Sequence, residues 1–168
     1  MSWNIFLTMA HIIGTVLGVG GATFAEIFYV KAMKDGHVDP MEGDFLKMIY
    51  RVLRIGMALL ILSGFGYFLL FRIEGKEFLL YNDRFLAKIA LTIIIFFNAL
   101  LLQSKKVPLW LGSSLSITSW YAALVLGTWR GIPASLLTIT AWYIVAVLVM
   151  AVLLHYIRKA YLTPPSQN

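Results

Sequence analysis

Five apolar runs of about 20 residues restrict the fold of this chain more than any other feature. The runs lie at approximately residues 3–30, 52–71, 85–103, 109–129 and 134–157. About 20 apolar residues is the length that a helix needs to cross the hydrocarbon core of a bilayer. The sequence therefore predicts an all-α polytopic membrane protein, a five-transmembrane-helix bundle that forms one domain over residues 1–168.

The composition agrees with a membrane protein. Hydrophobic residues make up 60% of the chain and charged residues 13%, with a mean hydropathy of +0.82. Soluble domains contain about 45 to 50% apolar residues. The first run has no basic segment before it, lacks a small-residue cleavage site and is too long for a signal sequence, so we expect a retained span. The predicted surroundings are a lipid bilayer.

The basic residues predict the orientation. On one side of the spans they are Lys31, Lys34, Lys47, Arg51, Arg54, Lys105, Lys106, Arg158 and Lys159. On the other side they are Arg72, Lys76, Arg84 and Arg130. The positive-inside rule then predicts a plasma (inner) membrane protein with its N-terminus outside and its C-terminus in the cytoplasm. The basic residues form no stripe with aromatic residues, so nucleic acid is not a predicted partner.

Two connecting segments carry local signals. Asp39 and Pro40 favour the start of an amphipathic helix that leads into the second span. The sequence Gly131-Ile132-Pro133 predicts a tight outer turn before the fifth span.

His37, in the first loop, is interpreted as a solvated histidine, and we expect the tail after residue 162 to be disordered. The chain has no cysteine, which excludes disulfides, thiolate metal sites and cysteine nucleophiles.

The first span, AHIIGTVLGVGGATFAEIFYV, has one face of small residues with an ionisable group near each end. At 100° per residue this face holds His11, Gly14, Gly18, Ala22 and Ala25, with Glu26 at its edge. Such a face allows a second helix to approach closely, and we expect spans one, two and three to pack through their small residues. Alternatively, it leaves room for a flat ligand beside His11, because an ionisable group inside a span indicates function.

The ionisable groups of the spans fall into two layers. His11 and Lys88 lie near the outer surface, whereas Glu26, Arg54 and His155 lie near the inner one. We expect an inner polar cluster in which Glu26 pairs with Arg54 and His155 lies nearby. At 1.5 Å per residue, His11 and His155 differ in depth by roughly 20 Å, so they do not ligate one haem together.

Part of the chain resembles two families. His11 followed by Gly20-Gly21 resembles the H-x8-G-G pattern of CopD-type copper-resistance membrane proteins, and His11 with Gly21 resembles the first span of HemJ-type protoporphyrinogen oxidases. FLAKIALTIIIFFNALL, which contains Lys88, is similar to a helix that both groups carry in this place. The sequence differs from these families at Gly18, where they have tryptophan. It also differs at Glu26-Ile27, where HemJ-type proteins have Pro-Arg, and at Asn98, where they have histidine.

The resemblance implies a small helical membrane bundle with a first-span histidine that binds haem b. In that interpretation His11 is the axial metal ligand, the porphyrin lies against Gly14 and Gly18, and Lys88 is a sixth ligand or a propionate partner. The protein would then be an oxidoreductase for electron transfer or for oxidation of a hydrophobic substrate. It would work with a redox partner or as a homo-oligomer.

Two alternatives stay open. A copper-handling protein would use His11 with nearby methionines, which are Met9, Met57 and Met150. A non-enzymatic membrane subunit would use its polar groups only to pair with one another and its glycine faces to bind helices.

Overall fold

The structure, a computed structural model, describes residues 2–129 and 133–162 and is helical without a strand over those residues. The helices are α1 (Trp3–Ala32), α2 (Pro40–Ile73), α3 (Asp83–Gln103), α4 (Leu109–Thr128) and α5 (Leu136–Leu162). All five are long and apolar enough to span a membrane. The predicted all-α fold is therefore confirmed. Arg130, the turn at Gly131-Ile132 and the tail from residue 163 lie outside the described residues.

Helix α2 joins the predicted lead-in helix and the second span into one helix of 34 residues. Pro40 occupies its first turn, where a missing N–H costs no helical hydrogen bond. The backbone N–H of Asp39 donates to Glu42 Oε2 at 3.0 Å, which satisfies the N-cap residue. Short 3₁₀ segments follow α1 and α2, at Met33–Asp35 and Glu77–Tyr81.

The helices alternate in direction, so the bundle has two ends. We call the end where α1 begins the N-terminal face and the end where α5 finishes the C-terminal face. At the N-terminal face, Arg84 donates to the carbonyl oxygens of Leu126 and Gly127 at 2.7 and 3.1 Å, and the N–H of Leu136 donates to Asp83 Oδ2 at 3.0 Å. The first turn of α3 is therefore hydrogen-bonded to the end of α4 and to the start of α5.

Helix α1 packs along the length of α2, and α4 is its second neighbour. Within the described chain α1 and α3 make no helix-to-helix contact, since α3 packs mainly on α4 and α5. The prediction that spans one, two and three pack together is therefore wrong for α3. The glycines of α1 explain the correction, because Gly18 receives the ring of Trp120 from α4.

Close backbone approach joins α1 to α2. A Cβ at Gly14 would lie 2.9 Å from the carbonyl oxygen of Gly56, and one at Gly56 would lie 3.0 Å from the N of Gly18. These glycines form the small-residue seam, as the sequence predicts. Gly64 of α2 lies outside the seam, since nothing lies within 4 Å of a Cβ at that position.

The core draws a residue from each of the five helices. It is centred on Trp120, which is 2% exposed, with Ala22, Leu60, Ile95, Ile117 and Leu154. Asn98, also buried, donates from Nδ2 to the carbonyl oxygen of Gly112 at 2.8 Å and so ties α3 to α4. Large apolar side chains are exposed along every helix, α5 above all, as in a protein whose solvent is lipid.

Candidate functional site

His11 is held by one hydrogen bond from the neighbouring helix. Its Nδ1 lies 2.9 Å from Ser63 Oγ, and Ser63 Oγ lies 2.6 Å from the carbonyl oxygen of Leu59. A hydroxyl has one hydrogen; when Ser63 gives it to this carbonyl, Ser63 accepts from the N–H at Nδ1 of a neutral His11. This tautomer places the lone pair on Nε2. A metal-binding histidine has this arrangement, with one nitrogen fixed and the other able to ligate.

Other polar groups lie beside His11 toward the N-terminal face. The ring of Tyr67 meets that of His11 edge-on, with centroids 6.1 Å apart, and the Tyr67 hydroxyl lies 2.6 Å from Thr8 Oγ1. Thr8 gives its hydrogen to the carbonyl oxygen of Asn4 at 2.7 Å, so Tyr67 is the donor to Thr8. Lys88 of α3 lies within electrostatic range of His11. The sequence places His11 and Lys88 at one depth, but α1 and α3 do not pack against each other in the described chain.

Ser63 and Tyr67 were not among the predicted site residues. The sequence offered one signal for them, since both are polar residues within the second apolar run. Ser63 is 2% exposed. Its role toward His11 depends on which faces of α1 and α2 meet, and apolar periodicity alone does not determine that.

The space beside Gly14 and Gly18 is filled. The backbone of α2 lies against Gly14, and the indole of Trp120 lies against Gly18. Trp120 also closes the centre of the bundle. The expectation that a flat ligand lies on this face is therefore corrected. His11 fits a metal by its donor chemistry, whereas the glycine face does not fit a porphyrin.

Comparison with family models, with curated protein sequences and with solved structures finds no match for this chain. The resemblance to the CopD and HemJ families accordingly rests on the short motifs of the first and third spans.

A second polar site lies toward the C-terminal face, around Glu26 of α1. Arg158 of α5 binds its carboxylate through two hydrogen bonds, Nε to Oε1 at 2.7 Å and Nη2 to Oε2 at 2.8 Å. Arg158 Nη2 also donates to Ser113 Oγ of α4 at 2.6 Å, and its guanidinium lies 5.4 Å from the centre of the Tyr29 ring. We call Glu26, Arg158, Ser113 and Tyr29 the inner cluster. Two-point binding of a carboxylate by arginine is among the strongest polar contacts in proteins.

The predicted partners of Glu26 are wrong. Arg54 is exposed and donates from Nε to the carbonyl oxygen of Tyr50 in its own helix at 3.3 Å. His155 is exposed and contacts Tyr156, so it lies outside the inner cluster. The physical reason is the helix order, because Arg158 of α5 lies against Glu26 of α1 whereas Arg54 lies on an exposed side of α2.

One further group of possible metal ligands lies in the first loop. Single ligand atoms of Asp35, His37 and Asp39 lie within 4.8 Å of one another, and all three residues are exposed. His37 Nε2 lies 3.1 Å from Asp39 Oδ1. The exposure agrees with the interpretation of His37 as a solvated residue, and exposed acidic groups of this kind are common.

Proposed function

We propose that this multi-pass membrane protein is a redox protein whose metal group is ligated by His11 at Nε2. The observation that carries the proposal is the hydrogen bond between His11 Nδ1 and Ser63 Oγ, which holds the ring and makes Nε2 the nitrogen that would ligate the metal. Without such a role, placing an ionisable side chain inside a membrane span has an unfavourable free energy.

Haem b is the group that the resemblance implies, and when bound it supplies one-electron chemistry. His11 would hold its iron, and Lys88 would pair with a propionate, a role that keeps the lysine charged. Gly14 and Gly18 have no part in holding it, because their face is occupied by α2 and Trp120. Copper is the other group that a neutral imidazole suits, with Met9 as the nearest methionine in sequence.

The proposed orientation places His11 at the outer surface. It follows from the excess of lysine and arginine in the loops at the C-terminal face, which predicts that this face is cytoplasmic. The inner cluster then lies toward the cytoplasm. In this orientation a redox partner would reach the His11 site from outside the cell membrane.

A non-enzymatic membrane subunit is the second candidate. The filled seam between α1 and α2 favours it, as does the inner cluster, whose charges already satisfy each other. On this interpretation the bond between His11 and Ser63 only ties α1 to α2.

Titration of the detergent-purified protein with haem distinguishes the two candidates. We expect one haem per chain, with a shifted Soret band, in wild type and in His155→Ala, whose histidine is exposed. His11→Ala should lose the shifted band, and Ser63→Ala should bind about 10- to 100-fold more weakly, since it removes the residue that orients the ligand. A featureless wild-type titration, repeated with copper, would favour the subunit. An unchanged band in His11→Ala would exclude His11 as the ligand.

A further inference from the structure

Three basic residues lie on one side of α2, in the half of this helix nearer the C-terminal face. Lys47, Arg51 and Arg54 follow each other at intervals of four and three residues, which places them in adjacent turns on the same side of a helix. All three residues are exposed. No charged residue follows until Arg72, so they lie at one end of the apolar part of the span. We call these three residues the basic cluster.

The charges of the basic cluster are only partly matched by the protein. Lys47 Nζ lies 2.8 Å from Asp44 Oδ1. Arg54 donates from Nε to the carbonyl oxygen of Tyr50 at 3.3 Å, which leaves its charge in place. Neither Arg51 nor Arg54 forms an ion pair with another described residue. Because like charges on adjacent turns of a helix repel each other, this side of α2 favours a bound anion.

Exposed apolar residues continue the same side of α2 toward the N-terminal face. We call them the apolar track, and they are Ala58, Leu62, Phe65 and Leu69. At 100° per residue, the track and the basic cluster fall within an arc of about 80°. At 1.5 Å per residue, Phe65 lies about 16 Å along the helix from Arg54, close to the hydrocarbon depth of one leaflet. This side of α2 is open to lipid because α2 packs mainly against α1.

We infer that the basic cluster and the apolar track together bind one phospholipid with a net negative headgroup. Arg51 and Arg54 would donate hydrogen bonds to its phosphate, and an acyl chain would lie along the track. A free phosphate ion has no group to occupy the track. A zwitterionic headgroup brings a cation of its own and would leave both arginine charges unbalanced, whereas a net negative headgroup balances one of them. His11 lies outside this site, so the inference is independent of the proposed metal.

Native mass spectrometry of the detergent-purified protein tests the inference. Phosphatidylglycerol is the net negative probe, and phosphatidylcholine with the same acyl chains is the zwitterionic one. We expect wild type to bind one phosphatidylglycerol at least about fivefold more tightly than phosphatidylcholine. sn-Glycerol 3-phosphate, which has the phosphate without acyl chains, should not displace the bound lipid.

Substitution of the two arginines measures their contribution. Arg51→Gln and Arg54→Gln should each weaken phosphatidylglycerol binding about fivefold and the double variant about 25-fold, from about 1 kcal/mol for each basic residue near an anionic lipid. Arg72→Gln is the matched control, because Arg72 lies on the same side of α2 at the other end of the span and its Nε lies 3.3 Å from Glu77 Oε1. Its binding should equal that of wild type. Substitution of exposed residues usually changes stability little, and circular dichroism checks that the variants stay helical.

Equal affinity of wild type for the two lipids would overturn the inference, and this comparison requires no variant. Phosphatidylglycerol binding that is unchanged in the double variant, or that falls as far in Arg72→Gln, would also overturn it. Displacement of the lipid by sn-glycerol 3-phosphate would reject a phospholipid in favour of a free phosphate.

Discussion

At the scale of single residues, one face of α1 serves two purposes. Its glycines allow α2 and Trp120 to approach the backbone, and one turn away His11 is fixed by Ser63. Close helix approach and a fixed imidazole depend on each other here, since Ser63 reaches His11 only because α2 lies so near. The absence of side chains at Gly14 and Gly18 is therefore a packing requirement of the site.

Gly14→Ala tests the seam. A Cβ at this position would meet backbone atoms of α2 at 2.9 Å, and backbone cannot move aside as a flexible side chain can. We expect a loss of about 1 to 3 kcal/mol of stability, the usual effect of overpacking. Gly20→Ala is the matched control, because nothing lies within 4 Å of that site and alanine favours the helix. Denaturation in mixed micelles, followed by circular dichroism, measures both; equal stability of the two variants would contradict a tight seam.

At the scale of helices, α5 is the least buried element, and its contact with α1 near the C-terminal face is polar. Arg158 reaches across to Glu26 and also binds Ser113 of α4. The guanidinium and the carboxylate are 14% and 9% exposed, so both charges have left water and each depends on the other.

Glu26→Gln should destabilise the protein by about 3 to 5 kcal/mol, because it leaves the charge of Arg158 buried without its partner. The double variant Glu26→Leu with Arg158→Leu should regain much of this loss, since no isolated charge remains. Arg54→Gln serves as the control on an exposed arginine that the sequence favoured as the partner. Thermal stability measured by size-exclusion chromatography after heating compares the four proteins. A loss in Arg54→Gln as large as that in Glu26→Gln would count against the inner cluster.

The positions of the helices along the chain could be predicted from the sequence, but which helices pack against each other could not. Apolar runs and the signals at Asp39 and Pro40 place the helices, because the length of a span and the chemistry of a cap are local properties. The depth of Glu26 in its span predicts a cationic partner, and the sequence pointed to Arg54. The actual partner is Arg158 of α5, which depends on the order of helices around the bundle.

At the scale of the whole molecule, polar groups occupy two depths of an otherwise apolar bundle. His11, Ser63 and Tyr67 lie toward the N-terminal face, and the inner cluster lies toward the C-terminal face. The core around Trp120 separates the two layers. The proposed topology of five spans would put the two chain ends, and these two layers, toward opposite sides of the membrane.

Cysteine labelling of the two chain ends tests this arrangement most directly, since the chain has no cysteine of its own. The variants are Ser2→Cys and Gln167→Cys, treated in intact cells with a membrane-impermeant maleimide. We predict that Ser2→Cys is labelled from outside and that Gln167→Cys is labelled only after the membrane is permeabilised. Labelling of both variants from the same side would contradict five spans, and labelling of Gln167→Cys alone from outside would reverse the proposed orientation.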